Sequence, residues 1–215
     1  MGLHWLTYFW ALKLSNVAIG MLSLFTYPVL TAILEPIMTR TSFKWVDIFL
    51  AALAFVGVYF LIPEFSLAND TTLGILLGLF SSLLYSLRNI LLKQSVSITS
   101  GTVLMFYQLI IVTVALLPVL FWYPLDNTAK VFQDEWEAIL LLALYTTALG
   151  HTLLVRSFRH FKITTVSIIT CLTPVLGIFQ AMIFLNEKPT HQVLIGGSII
   201  MISVVIESIR SIRQS

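Results

Sequence analysis

Tyr27-Pro28-Val29-Leu30 and Thr173-Pro174-Val175-Leu176 hold a proline in the same apolar setting, and their surroundings superimpose without a gap at an offset of about 146 positions. The same register pairs Lys13 with Arg159, Ile37 with Ile183 and Val58 with Val204. Low-complexity apolar sequence aligns easily by accident, but here the helix after each proline aligns as well. A repeat of this period in an apolar chain marks a fold built from two related halves.

The composition is that of a membrane protein. Of 215 residues, 58% are hydrophobic and 10% charged, and the mean hydropathy is +0.96; soluble domains average about 45–50% apolar. A net charge of +2, spread over short loops, excludes a nucleic-acid partner. The single cysteine, Cys171, allows no intramolecular disulfide and reads as packing. Seven runs, at approximately 17–38, 46–62, 72–92, 102–123, 137–155, 163–185 and 191–209, approach the about 20 residues a helix needs to cross a bilayer. The apolar run 3–14 is too short to cross alone and reads as the second half of a helix. No signal peptide is evident after Met1. The expected fold is therefore an all-α, polytopic helical bundle of seven full spans and a partial N-terminal one.

Arg40, Lys44, Arg88, Lys93, Arg156, Arg159, Lys162, Arg210 and Arg213 fall on the side opposite Lys13, Lys130 and Lys188. The positive-inside rule puts the larger set, and with it the C-terminus, in the cytoplasm of a cell-membrane protein. The Pro28 span then runs inward and the Pro174 span outward. The two copies are inverted, and inverted halves can exchange roles, which is the structural basis of alternating access.

Polar groups within a span are costly, which makes each a functional candidate. Glu35 lies in the cytoplasmic third of its span, where an ion pair with Arg40 or Arg88 competes with a substrate or proton role, and Pro36 beside it disfavours helical geometry. Ser81, Tyr85, Arg88 and Asn89 share one helical face that should turn to the bundle interior, with Arg88 either holding an anionic group or reaching the headgroups. Thr170, Thr173, Gly177 and Gln180 form a small and polar stripe around Pro174, suited to helix packing or to a neutral or zwitterionic ligand. His151 follows Thr147 on one face and titrates in the range that suits proton coupling; Tyr107 and Gln108 lie at a similar depth. Gly74 and Gly78 form a GxxxG packing pattern. The expected substrate contacts are Glu35, Tyr85, Arg88, Asn89, His151, Thr170, Thr173 and Gln180, with Pro28, Pro36 and Pro174 as hinges. No metal or cofactor is expected. The four histidines make no HExxH, and neither GxSxG nor GxxxxGK[ST] occurs, so an enzyme is not expected.

Ser157-Phe158-Arg159-His160-Phe161-Lys162, the Pro174 span, Asn186-Glu187-Lys188 and Gly196-Gly197 together resemble the second repeat of an EamA-like transporter of the drug/metabolite transporter superfamily. In that family a basic loop precedes a proline-bearing helix, a Gly-Glu-Arg-like turn and a glycine-containing last helix. Ala11-Leu12-Lys13, Pro28 and the helix around Gly57 resemble the end of the first repeat, although Thr41 stands in place of the turn glutamate. The resemblance implies ten spans in two sets of five, of which this chain lacks the first two and half of the third. It divides the chain into an incomplete first repeat at 1–63, an outer loop at 64–71, a second repeat at 72–209 and a cytoplasmic tail at 210–215. The function it implies is secondary transport of a small metabolite across the lipid bilayer, as exporter or permease. The alternatives are a non-transporting fragment of such a carrier, or a seven-helix receptor or sensor. Unmatched helix faces leave room for a homo-oligomer.

Overall fold

The structure is a computed structural model that describes every residue except 41, 43, 63–65, 67, 119–124, 161–169, 171 and 215. Thr41, Glu64, Lys162 and Cys171 lie outside the described residues. The chain is 88% helical, with no strand among the described residues. The helices are α1 (Gly2–Leu14), α2 (Val17–Leu24), α3 (Tyr27–Thr39), α4 (Trp45–Leu61), α5 (Asp70–Val96), α6 (Gly101–Leu116), α7 (Leu125–Leu141), a π-helical stretch (Leu142–His151), α8 (Thr152–His160), α9 (Leu172–Phe184) and α10 (His191–Gln214). The π-helical stretch differs from the plain α-helical span expected at 137–155.

Among the described residues, three helical segments are long and apolar enough to cross a membrane: Val17–Thr39, Asp70–Val96 and Ala129–His160. Trp45–Leu61, Gly101–Leu116, Leu172–Phe184 and His191–Glu207 are shorter apolar helices at the positions of the remaining expected spans. The first segment is not one continuous helix. Asn16 caps α2 by accepting from the Ile19 N–H at 2.9 Å, and the helix ends at Phe25. Pro28 has no N–H for the Leu24 carbonyl, so the chain restarts as α3 with Pro28 in its first turn, where a missing donor costs nothing.

The chain folds as two compact units, one from Leu3–Ile90 with Lys162–Ser215 and one from Leu91–Phe161. In the first, α4 and α10 make the most extensive interface. Gly57 and Gly196 meet so closely that a Cβ on Gly57 would lie 2.7 Å from the Gly196 carbonyl oxygen, and one on Gly196 would lie 2.5 Å from the Gly57 oxygen. Near the start of α4, Asp47 pairs with Arg210 near the end of α10. The two helices are therefore antiparallel. Glycine is required because any side chain would hold the backbones apart. Ala54, Val58, Ile200 and Val204 fill the seam, and Ile19 and Leu22 of α2 join the same core. In the second unit α8 packs on α6, where the Gly101 Cα faces the backbone of Val155 and Arg156.

The offset between the two proline segments has a counterpart in the backbone. Among the described residues, the non-glycine positions with positive φ are Arg40 (56°) and Asn186 (54°), which the offset of about 146 makes equivalent. Each ends its proline-bearing helix, α3 or α9. At the second, the Glu187 N–H donates to the Ala181 carbonyl at 3.2 Å, closing a left-handed helix end. That turn aims Glu187 at the start of α2, where its two carboxylate oxygens each stand 3.1 Å from the Val17 N–H. The turn after α9 thus caps α2. An acidic group there satisfies an orphan donor and complements the helix dipole.

Candidate functional site

Polar side chains of α1, α3 and α5 converge within the first unit. On α5, the face read from Ser81, Tyr85, Arg88 and Asn89 does turn inward: Ser81, Arg88 and Asn89 are buried and Tyr85 is half-buried. Gly74 and Gly78 bring this helix close to its neighbours, Gly74 against Ala11 and Ser15, Gly78 against Ser23. The GxxxG pattern is thus a packing surface.

His4 of α1 meets that face. Its Nδ1 lies 3.2 Å from the Ser81 carbonyl oxygen and 2.6 Å from Ser81 Oγ, and Ser81 Oγ–H donates to the His4 carbonyl at 2.8 Å. A carbonyl oxygen only accepts, so the contact with the Ser81 carbonyl favours the tautomer that carries its proton on Nδ1. The imidazole is tilted by 31° against the Tyr85 ring at 4.7 Å and stacked near Tyr8 at 6.3 Å. Tyr27 meets Tyr85 edge-on at 4.8 Å, and its hydroxyl shares a 2.8 Å hydrogen bond with Thr170. The Arg88 guanidinium sits 5.7 Å from the Tyr85 centroid, in cation–π range, and donates to Asn89 Oδ1 at 3.2 Å. Ser86 donates to the Tyr27 carbonyl at 2.9 Å, and Ser82 meets Thr26 at 2.9 Å, fixing the α2–α3 break against α5. The result is an aromatic and hydroxyl-rich cluster with one buried guanidinium and one buried imidazole.

Of the sequence-derived candidates, Tyr85, Arg88, Asn89 and Thr170 come together here. Glu35 stands further along α3, half-buried, with Thr39 bonded to its carbonyl at 2.7 Å. Pro36 is inside α3 and Pro174 is buried in the first turn of α9. Thr173 and Gln180 are on the exposed side of α9, because its packed side is formed by Pro174, Gly177 and Ala181, with Gly177 held against Met21. His151 closes the π-helical stretch of the other unit, half-buried. His4, Tyr8 and Tyr27 were missed. His4 and Tyr8 are four residues apart on one face of a run read as half a helix, and Tyr27 was overshadowed by Pro28. A separate cavity of about 350 Å³, apolar, opens between Leu22, Pro174, Ile178, Val193 and Met201. Among the described residues, no group of three or more His, Cys, Asp or Glu side chains could hold a metal ion.

Comparison with known proteins places the chain in a family. The EamA-like transporter family matches residues 1–62 and 72–209. An uncharacterized transporter of Synechocystis sp. is 22% identical over 96% of this chain, and one of Archaeoglobus fulgidus is 25% identical over 93% of it. The chain spans 62% of the length of the first relative and 70% of the second. No solved structure matches the chain.

Proposed function

We propose that this chain, which belongs to the EamA-like transporter family, carries a small metabolite across the cell membrane by alternating access. The observation that carries the reading is the antiparallel α4–α10 pair. The offset that equates Pro28 with Pro174 also equates α4 with the first 17 residues of α10, so two copies of one element meet across a local twofold. Inverted repeats that share such an axis supply two mirror arrangements of nearly equal energy, one open to each face. The seven apolar segments are read as spans, with the C-terminus cytoplasmic and the Pro28 and Pro174 helices as the moving parts. The cluster of Tyr85, Arg88, Asn89 and Thr170, joined by His4 and Tyr27, is the substrate site in this reading. In this reading the carrier works as an exporter or permease.

The chain, reconstituted in liposomes, would be assayed for uptake and counterflow of labelled L-glutamate, pyruvate, L-lysine, L-alanine and L-phenylalanine. At least one is expected to move several-fold faster than in protein-free vesicles, with Tyr27→Ala and Tyr85→Ala each reducing that flux. Flux at the protein-free level for every compound overturns the carrier reading for this chain.

A further inference from the structure

The apolar cavity of the first unit is a crevice that parts two consecutive helices. α9 rests on α2, and α10 rests on α4, α3 and α2. Leu22, Pro174 and Val193 form the buried floor between them, while Val175 and Leu194 are exposed at the lips. Of the described lining residues, Ser198 alone has a polar side chain, and its hydroxyl donates to the Leu194 carbonyl at 2.7 Å. An ordered water needs about two to four polar partners, which such walls do not offer, so the space of about 350 Å³ suits hydrocarbon. The helix surfaces beside it are apolar too: Leu176 and Phe179 of α9 and Ile195 and Ile202 of α10 are exposed. In a membrane span, such surfaces meet lipid tails.

One end of the crevice is different. It reaches Pro189, in the turn between α9 and α10, and on either side of that proline Lys188 and His191 are exposed. The acid of the same turn, Glu187, is engaged with the Val17 N–H. From His191 to Met201 the crevice follows α10 for about 15 Å, at 1.5 Å per residue. That is half of a hydrocarbon core about 30 Å thick, or one leaflet. An apolar slot one leaflet deep, with a lysine at its polar end, is complementary to an anionic amphiphile.

We propose that the crevice between α9 and α10 is a binding site for an anionic phospholipid, with one acyl chain lying along Leu22, Pro174, Val193 and Met201 and the phosphate meeting Lys188 and His191. The bilayer is the source of the ligand. The acyl chain supplies the close apolar contact that the crevice withholds from α9 and α10, and the headgroup places its charge where Glu187 is already occupied. The site goes beyond the carrier reading, since it stands on packing and charge and holds in whichever direction a compound is carried.

The full chain in phosphatidylcholine nanodiscs would be photolabelled with phosphatidylglycerol bearing a diazirine on one acyl chain, or with the matching phosphatidylcholine probe, and the adducts mapped by peptide mass spectrometry. The phosphatidylglycerol probe should label Val175, Ile178, Leu194 and Met201 at least about threefold more than the phosphatidylcholine probe, the scale set by one lysine beside an anionic headgroup. K188Q/H191Q, at two exposed positions, should bring the two probes level. Ser198→Trp, which fills the slot from an exposed position, should remove labelling of the crevice by both probes while exposed Phe106 and Ile110 of α6 are labelled as before. Crevice labelling no stronger than that of Phe106 and Ile110, equal labelling by the two probes, or a pattern unchanged in either variant overturns the site. Displacement of the probe by L-phenylalanine or another of the assayed compounds assigns the crevice to cargo and overturns the lipid assignment. The carrier reading is judged separately by flux, and a chain that moves none of the compounds can still show the lipid site.

Discussion

Asn186 and Glu187 show how two residues can connect the end of α9 to the start of α2. Asn186 adopts φ 54°, a conformation asparagine tolerates and β-branched residues resist, and this places Glu187 over the Val17 N–H. Glu187→Ala should lower stability by about 1 kcal/mol, the usual worth of a helix cap, with the charge adding a few tenths. Asn186→Val should cost about 1–2 kcal/mol, whereas Asn186→Gly should be close to neutral. Thermal unfolding in detergent, followed by tryptophan fluorescence, reads all three, and an unchanged midpoint in both Glu187→Ala and Asn186→Val would remove the turn from the stability of the fold.

Among elements, the α4–α10 seam differs at its two ends. At one end the buried Asp47 and Glu207 share Arg210, which lies 2.7 Å from Glu207 and in direct contact with Asp47. At the other, Leu61 and Val193 are apolar. Removing the shared cation should be far costlier than removing the whole network. Arg210→Met should destabilise by about 3–5 kcal/mol, because two carboxylates are left buried together, while D47N/E207Q/R210M should recover most of that loss. Equal losses in both would show that the charges do not cooperate. In the middle of the seam, Gly57→Leu should prevent the pair from closing. The expected sign is a protein that inserts in the membrane but loses its monodisperse peak on size exclusion, with Gly196→Leu behaving alike because the two glycines meet.

For the whole molecule, the proposed orientation has a direct check. A fluorescent protein fused after Ser215 should be bright in cells, and alkaline phosphatase fused at the same point should be inactive, since only the former matures in the cytoplasm. The opposite result would invert every span while preserving the inverted relation of the copies. Transport assays and this topology test are independent, because orientation follows from loop charge and the site from packing. The identity of the α5 face was legible in sequence because Ser81, Tyr85, Arg88 and Asn89 obey helical spacing in an apolar run. The same reasoning gave Thr173 and Gln180 equal standing with Thr170, and the folded chain separates them: Thr170 bonds to Tyr27 while the other two stay exposed. His4 was illegible for a related reason, since nothing in the spacing of α1 says which helix will lie beside it.

Sequence alone determined the membrane class, the family, the period of the repeat and the faces of individual helices, because each follows from composition or from local periodicity along one chain segment. Tertiary structure decided which faces meet. That choice depends on small residues such as Gly57, Gly78 and Gly196 letting particular backbones approach, and those long-range contacts assemble His4, Tyr27, Tyr85 and Arg88 into one cluster and bring Glu187 to the start of α2.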